Sequence, residues 1–332
     1  MNRAADDAPR GDAGPRGHDA PDVAPHVAPY ADLTPDRILD ALASIGLLGD
    51  GRLLSLNSYE NRVYQVYLDD APDDVIAALH GAAPHGPGQD QDQDQDQDQD
   101  ESGHERTHHA SNDALPPAFG RMPNRPANLS VVVKFYRPGR WLDPQILEEH
   151  AFTTQLEARE IPVVPPLPIG DAGDTLHHFA GHRFAVFRRQ GGRPPELDDP
   201  ATRQWIGRFI GRIHAVGRTR PFDTRPALDL DSFGIEPRDW LLAHDAIPPD
   251  LLPAWRTAVD LALDGVREAF ARCPATPIRL HGDNHPGNVL WTEDGPHFVD
   301  FDDCRSGPAV QDLWMLLAGD RETMTAQLDD LL

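Results

Sequence analysis

Near residue 190 the hydrophobic pattern of this chain changes period, and that limits the possible folds more than any other feature. Before the break, apolar residues come in short runs bounded by turn residues: Leu53–Leu56, Val63–Leu68, Val131–Tyr136 and His182–Phe187. Such runs read as strands, and Leu56 to Val63 as a hairpin turn. One helix interrupts them, starting at Asp143-Pro144 and running to about Ala158. After the break, Trp205, Ile206, Phe209, Ile210, Ile213 and Val216 recur at helical spacing, and a second amphipathic helix covers roughly 251–271. The expected class is α+β, with a small β-rich N-lobe at 31–189 and a larger helical C-lobe at 190–332. Ligands commonly bind in a cleft between two such bodies.

Two segments fall outside this pattern. Residues 1–30, rich in Ala, Pro, Asp and Gly, are expected to be a disordered tail, with order starting at the helix signal Thr34-Pro35. Residues 70–127 contain a six-fold Gln-Asp repeat at 89–100. Low hydrophobicity and charge of one sign do not offset the entropy of ordering, so 70–127 reads as a floppy insertion between adjacent strands. Such a loop is tolerated because closure entropy rises only slowly with length.

Lys and Arg number 30 against 54 Asp and Glu, a net charge of −24. That field disfavours nucleic acid and anionic membrane as partners. The two cysteines, Cys273 and Cys304, form no Cys-x-x-Cys pair, which fits a reducing cytoplasm. No apolar run is long enough to span a bilayer, and the N-terminus lacks an apolar signal core.

The chemistry concentrates at His281-Gly282-Asp283-Asn284-His285-Pro286-Gly287-Asn288 and at Asp300. Ile278–Leu280 reads as a strand entering the loop and Val289–Trp291 as one leaving it. The turn 292–296 and a return strand 297–301 then bring Asp300 back beside Asn288. The order carboxylate, carboxamide, carboxylate suits phosphoryl transfer. Asp283 can orient and deprotonate a hydroxyl, while Asn288 and Asp300 can hold magnesium over nucleotide phosphates. The Asp-x-x-x-x-Asn spacing is also that of the protein kinase catalytic loop. Two other readings compete: a polar turn shaped by Asp and Asn, and a hydrolytic metal site of His281, Asp283 and His285.

Lys134 sits in the middle of an apolar strand, where an unpaired ammonium is costly. It suits phosphate binding if an acid on the next helix pairs with it. Glu148 and Glu149 are both available; Phe152 and Leu156 put Glu149 on the inward face. The turn 57–62 lacks glycine, yet its amides and the Ser58 hydroxyl can donate to phosphate. Strand alternation would put Asp302 on the face of Asp300, in support of the metal. Gly307–Trp314 is expected to start a helix in which Asp312 braces the loop near His281.

Together these segments resemble the bacterial stress response kinase A family, Ser/Thr protein kinases similar in fold to aminoglycoside phosphotransferases and choline kinases. The resemblance rests on Leu56–Gln65, Val132–Pro138, Gln145–His150, the loop 280–291 and Gly307–Leu317. It implies a bilobal protein-kinase-like fold, with Asp283 as proton acceptor and Asn288 and Asp300 as magnesium ligands. It also implies ATP contact by Ser58, an adenine-facing hinge at 187–190, and a cytoplasmic, monomeric enzyme of the stress response with unknown protein substrates. The Gln-Asp insertion departs from the family pattern, as does the end at Leu332, where the family continues through further helices. Met324, Leu328 and Leu331 are therefore expected to form an apolar face without neighbours. Two alternatives remain: a kinase of small molecules such as amino alcohols or aminoglycosides, and a weakened nucleotide-binding module.

Overall fold

A computed structural model of the chain describes residues 29–80 and 129–332. The expected tail up to residue 28 and the Gln-Asp repeat lie outside the described residues. The first helix, α1 (Pro35–Ala43), is capped by the Thr34 hydroxyl and carries Pro at its first position. Ile38, Ala41 and Leu42 turn its apolar face inward. Strands β1 (Leu48–Leu56) and β2 (Arg62–Asp70) form the expected hairpin.

Helix α2 (Asp73–His80) then corrects the reading of 70–127 as wholly floppy. Val75 is buried in the same core as α1, with Ile76 and Leu79 packed against it. That apolar face repays the entropy of ordering the helix. The tail boundary also moves, because the Tyr30 hydroxyl donates to the Glu60 and Phe135 carbonyls, each at 3.2 Å.

Strand β3 (Ser130–Phe135), helix α3 (Asp143–Glu157) and strands β4 (His177–Phe179) and β5 (His182–Arg188) follow. The sheet runs β1-β2-β3-β5-β4, antiparallel throughout. Along β3 the pleat sends Val131, Val133 and Phe135 into the core. Val132 and Lys134, on the other face, line a cleft.

Beyond residue 190 the chain is helical as expected: α4 (Pro200–Gly217), α5 (Glu236–Ala243) and α6 (Leu252–Arg272). Strands β6 (Ile278–Leu280), β7 (Val289–Thr292), β8 (Gly295–Phe298) and β9 (Arg305–Gly307) make two small ladders, β6 with β9 and β7 with β8. The expected helix at 307–314 is instead two short 3₁₀ turns, Ala309–Asp312 and Trp314–Leu316. The last helix, α7 (Arg321–Leu331), is not left bare. Leu331 is buried, Leu328 packs on the same core, and Arg203 of α4 pairs with Asp330. Gly207 of α4 permits this approach, since a methyl there would lie 2.0 Å from the Leu331 carbonyl oxygen.

A candidate phosphoryl-transfer site

A cleft of about 330 Å³ opens between the five-stranded sheet and the β7–β8 ladder. Val63, Val132 and Phe187 line it from the sheet, Leu290 from the ladder, and Val299 from just beyond β8. Ser58, Lys134, Glu149, Asn288 and Asp300 all line it as well. So does the side of the chain at Arg188 and Gln190, where the resemblance put a hinge.

Lys134 is 6% exposed, and its Nζ meets three carboxylates. Asp300 Oδ1 and Asp302 Oδ1 lie at 3.1 Å and Glu149 Oε1 at 3.4 Å. Burial opposes the charge, but Asp300, Asp302 and Glu149 outweigh it and hold the pKa of the ammonium well above its ordinary value. Burial raises the Glu149 carboxyl, against the pull of Lys134 and Arg225. Glu149 is thus the partner within reach. Glu148 points elsewhere and accepts from the amides of Asp223, Thr224 and Arg225. Lys134 is the only lysine in the chain, every other cationic residue being arginine. That count is a signal the strand pattern alone did not supply.

Asp302 reaches Lys134 by a route other than strand alternation. Strand β8 ends at Phe298, Asp300 takes a left-handed conformation (φ 60°, ψ 66°), and 301–303 is a 3₁₀ turn. The turn carries Asp302 inward, where Lys134, Arg140 and Arg225 keep its carboxyl ionised against burial. A left-handed non-glycine residue is strained, and such strain clusters where a side chain must be aimed.

The side formed by the 281–288 loop is more open. Side chains of Asp283 and Asp300 are 41% and 43% exposed. The loop is held from behind by Asp312, whose carboxylate accepts from the amides of His281 (3.0 Å) and Gly282 (2.8 Å). His214 of α4 meets the same carboxylate at 2.9 Å. Gly282 has φ +88°, and a methyl there would lie 2.1 Å from the Asp303 carbonyl oxygen, so only glycine fits. The Val299 amide donates to the Asn288 carbonyl at 3.0 Å, which brings Asp300 beside Asn288. Asn288 Nδ2 donates to the Asp283 carbonyl at 2.8 Å, leaving its Oδ1 as the available ligand atom.

This donor set fits a hard divalent cation, which takes oxygen ligands from one or two protein groups and the rest from phosphate and water. Three carboxylates around one ammonium also leave a local surplus of negative charge. The hydrolytic trio does not fit. His281 Nε2 bonds the Val299 carbonyl at 3.0 Å and its Nδ1 accepts from the Asp283 amide at 3.4 Å, so neither nitrogen is free for a metal. Among the described residues no group of three His, Cys, Asp or Glu side chains is placed to hold a metal.

Arg225 has no signal in the sequence pattern. Its side chain is fully buried and ties three elements together. It pairs with Glu149 Oε2 at 3.2 Å and donates to the carbonyls of Asp302, Cys304 and Gln145 at 2.5, 3.0 and 2.8 Å. It lies in the irregular segment between α4 and α5, where no periodicity marks a residue as inward-facing.

A family model described as the phosphotransferase enzyme family matches residues 111–332. The serine/threonine protein kinase RdoA of Salmonella typhimurium is 37% identical over 91% of this chain and 74% of its own length. The stress response kinase A of Escherichia coli K12 is 39% identical over the same shares. Among solved structures, an amicoumacin kinase in complex with AMP-PNP and Ca2+ matches with a TM-score of 0.57 at 16% identity, over 89% of this chain and 75% of that one. A microcompartment-associated aminopropanol kinase matches at 0.54 and 16%, over 89% and 78%. At such identities these two speak for the fold alone. No helix among the described residues is long and apolar enough to cross a membrane.

Proposed function

Because the chain belongs to the stress response kinase A family, within the phosphotransferase enzyme family, we propose that it moves the γ-phosphate of ATP to serine and threonine hydroxyls of proteins, with magnesium. The observation that carries this reading is the 3.1 Å contact of Lys134 Nζ with Asp300 Oδ1 inside a cleft that Ser58 and Asn288 also line. An ammonium and a candidate metal ligand thus face one volume from opposite walls.

Each residue has a role in this reading. The apolar side chains of Val63, Val132 and Leu290 cover the two faces of the adenine, and the 187–190 segment meets its edge. Lys134, fixed by Glu149, donates to the phosphates, and Ser58 donates from the hairpin turn above them. Asn288 and Asp300 would hold the magnesium ion, which when bound would neutralise charge on the phosphate oxygens. Asp283, half in solvent at the mouth of the cleft, orients the acceptor hydroxyl and takes its proton as the oxygen attacks the γ-phosphorus and the bond to the β–γ bridging oxygen breaks, releasing ADP. A monomer acting in the cytoplasm under stress is part of the same proposal.

The test is incubation of the full chain with labelled ATP, magnesium and host lysate, followed by phosphosite mapping. Label on serine or threonine that vanishes in Asp283→Asn supports the reading; none on any protein contradicts it. The second reading, a kinase of cationic small molecules, draws on the net charge of −24, which suits amine acceptors. ATP consumption stimulated by one amino alcohol or aminoglycoside, with no protein labelled, would select it.

A further inference from the structure

The cleft is not the only sizeable cavity among the described residues. A second, of about 360 Å³, opens between α3 and the segment 220–224, with Arg279 of β6 also on its wall. Leu147, Ala151 and Phe222 make much of that wall apolar. The phosphoryl-transfer reading assigns it no role.

Arg279 is the unusual residue there. It is 1% exposed, and a buried guanidinium ordinarily needs a carboxylate. It makes no ion pair among the described residues. Nη2 donates to Gln155 Oε1 at 2.9 Å, the Val216 carbonyl at 3.0 Å and Thr219 Oγ1 at 3.2 Å. Nε is buried without an acceptor. The cation rests on the rings of Phe152 and Phe222, 4.5 and 5.6 Å from their centroids. Burial, and then the neighbouring Arg220, push its pKa down to about 10, with Arg159 acting in the same sense. Glu148, on the cavity wall, offers little relief. Its oxygens already accept from three backbone amides and from the Thr224 hydroxyl. In a chain with 54 acids and 30 cations, a buried arginine with another arginine for its neighbour and no carboxylate partner is out of pattern.

We propose that this cavity binds a small organic anion, an apolar body bearing one carboxylate or phosphate. The charged end lies between Arg279 and Arg220, and the body rests against Leu147, Ala151 and Phe222. The segment 220–224 continues into Arg225, which holds Glu149. An occupied cavity and the phosphate cleft therefore share one support.

Calorimetric titration of the full chain tests this, with phenyl phosphate and benzoate as probes and benzylamine as their cationic counterpart. At least one anion is expected to bind at a single site and benzylamine is not; which anion binds identifies the charged group. Ala151→Trp fills the cavity from an exposed helix position, and Arg279→Gln removes the charge. Each should weaken the anion by about tenfold or more, the scale of a hydrogen bond to a charged group. Ala151→Trp is expected to melt as the parent does, so it reports even if Arg279→Gln does not fold. Failure of both anions to bind, equal binding of benzylamine, or an affinity unchanged in Ala151→Trp would overturn the proposal. None of these readouts requires the chain to phosphorylate anything.

Discussion

The two walls of the cleft are built on opposite plans. On the sheet side, Lys134 and Glu149 are 6% and 3% exposed, each held by more than one partner of opposite charge. On the loop side, Asp283 and Asp300 are each about two-fifths exposed and are aimed mainly by backbone: the strained φ of Asp300 and the bracing of 281–282 by Asp312. The difference teaches that position and reactivity are separated in this molecule. The ammonium of Lys134 is locked in a buried network, while the carboxylates of Asp283 and Asp300 stay partly in solvent. Substitutions at Lys134 or Glu149 should therefore cost stability as well as activity, and at Asp283 activity alone.

The largest expected effect is on the open wall. Asp283→Ala should lower single-turnover transfer by about 10²–10⁴-fold, the scale of a lost general base. Its unfolding free energy should stay within about 0.5 kcal/mol of the parent, as for an exposed substitution. A large stability loss would break the contrast.

Next comes Lys134→Met. It leaves Glu149 and Asp302 buried without the ammonium they share, and stripping one partner from a buried pair costs about 3–5 kcal/mol. Urea unfolding measures this directly. A variant as stable as the parent would show that the network is not anchoring the lysine.

The third prediction concerns pH. His150, beside Glu149 on α3, bonds the Tyr136 hydroxyl at 2.7 Å and Thr175 Oγ1 at 2.9 Å. Burial, then the charges of Lys134 and Arg225, lower its pKa from 6.5 to about 3. Between those values the unfolded chain takes up a proton that the folded one refuses. Stability should therefore fall as pH drops below 6.5, by up to about 1.4 kcal/mol per pH unit from this group. His150→Gln should flatten the slope of unfolding free energy between pH 6 and 4. An unchanged slope would remove His150 from the account.

The smallest effect is expected at Ser58. Its hydroxyl already accepts from the Asn61 amide at 3.3 Å, and the turn's own amides remain to meet phosphate. Ser58→Ala should raise KM for ATP by less than about tenfold, the loss of roughly one neutral hydrogen bond. A larger effect would make the hairpin turn a principal phosphate grip.

These contrasts also explain what was legible in the sequence. Lys134 stood out because a charge in an apolar strand is an anomaly with one physical remedy, and the pleat then fixed which way it faced. The loop 281–288 and Asp300 stood out because β6, β7 and β8 bracket them with strand and turn signals. Arg225 sits in an irregular segment and gains its partners only when α3 and the 301–303 turn arrive, so no local pattern marks it. Alternation would place Asp302 in a strand, but the strand ends at Phe298 and a 3₁₀ turn makes the contact instead. The face of α7 looked orphaned because the gap over Gly207 that receives it is a property of two helices together. Helix α2 was hidden by the low-complexity tract that follows it.

Since the chain has a single lysine, one chemical measurement addresses the central claim directly. An acyl phosphate of ATP delivers its acyl group to an amine lying beside the nucleotide phosphates. Peptide mapping after brief exposure with magnesium should find the acyl group on Lys134, with labelling suppressed by excess ATP. Labelling should also drop in Asp300→Asn, which weakens the metal's hold on the same phosphates. An unlabelled Lys134 in a chain that binds ATP, or labelling that ATP does not compete, would contradict a triphosphate held between the sheet and the catalytic loop.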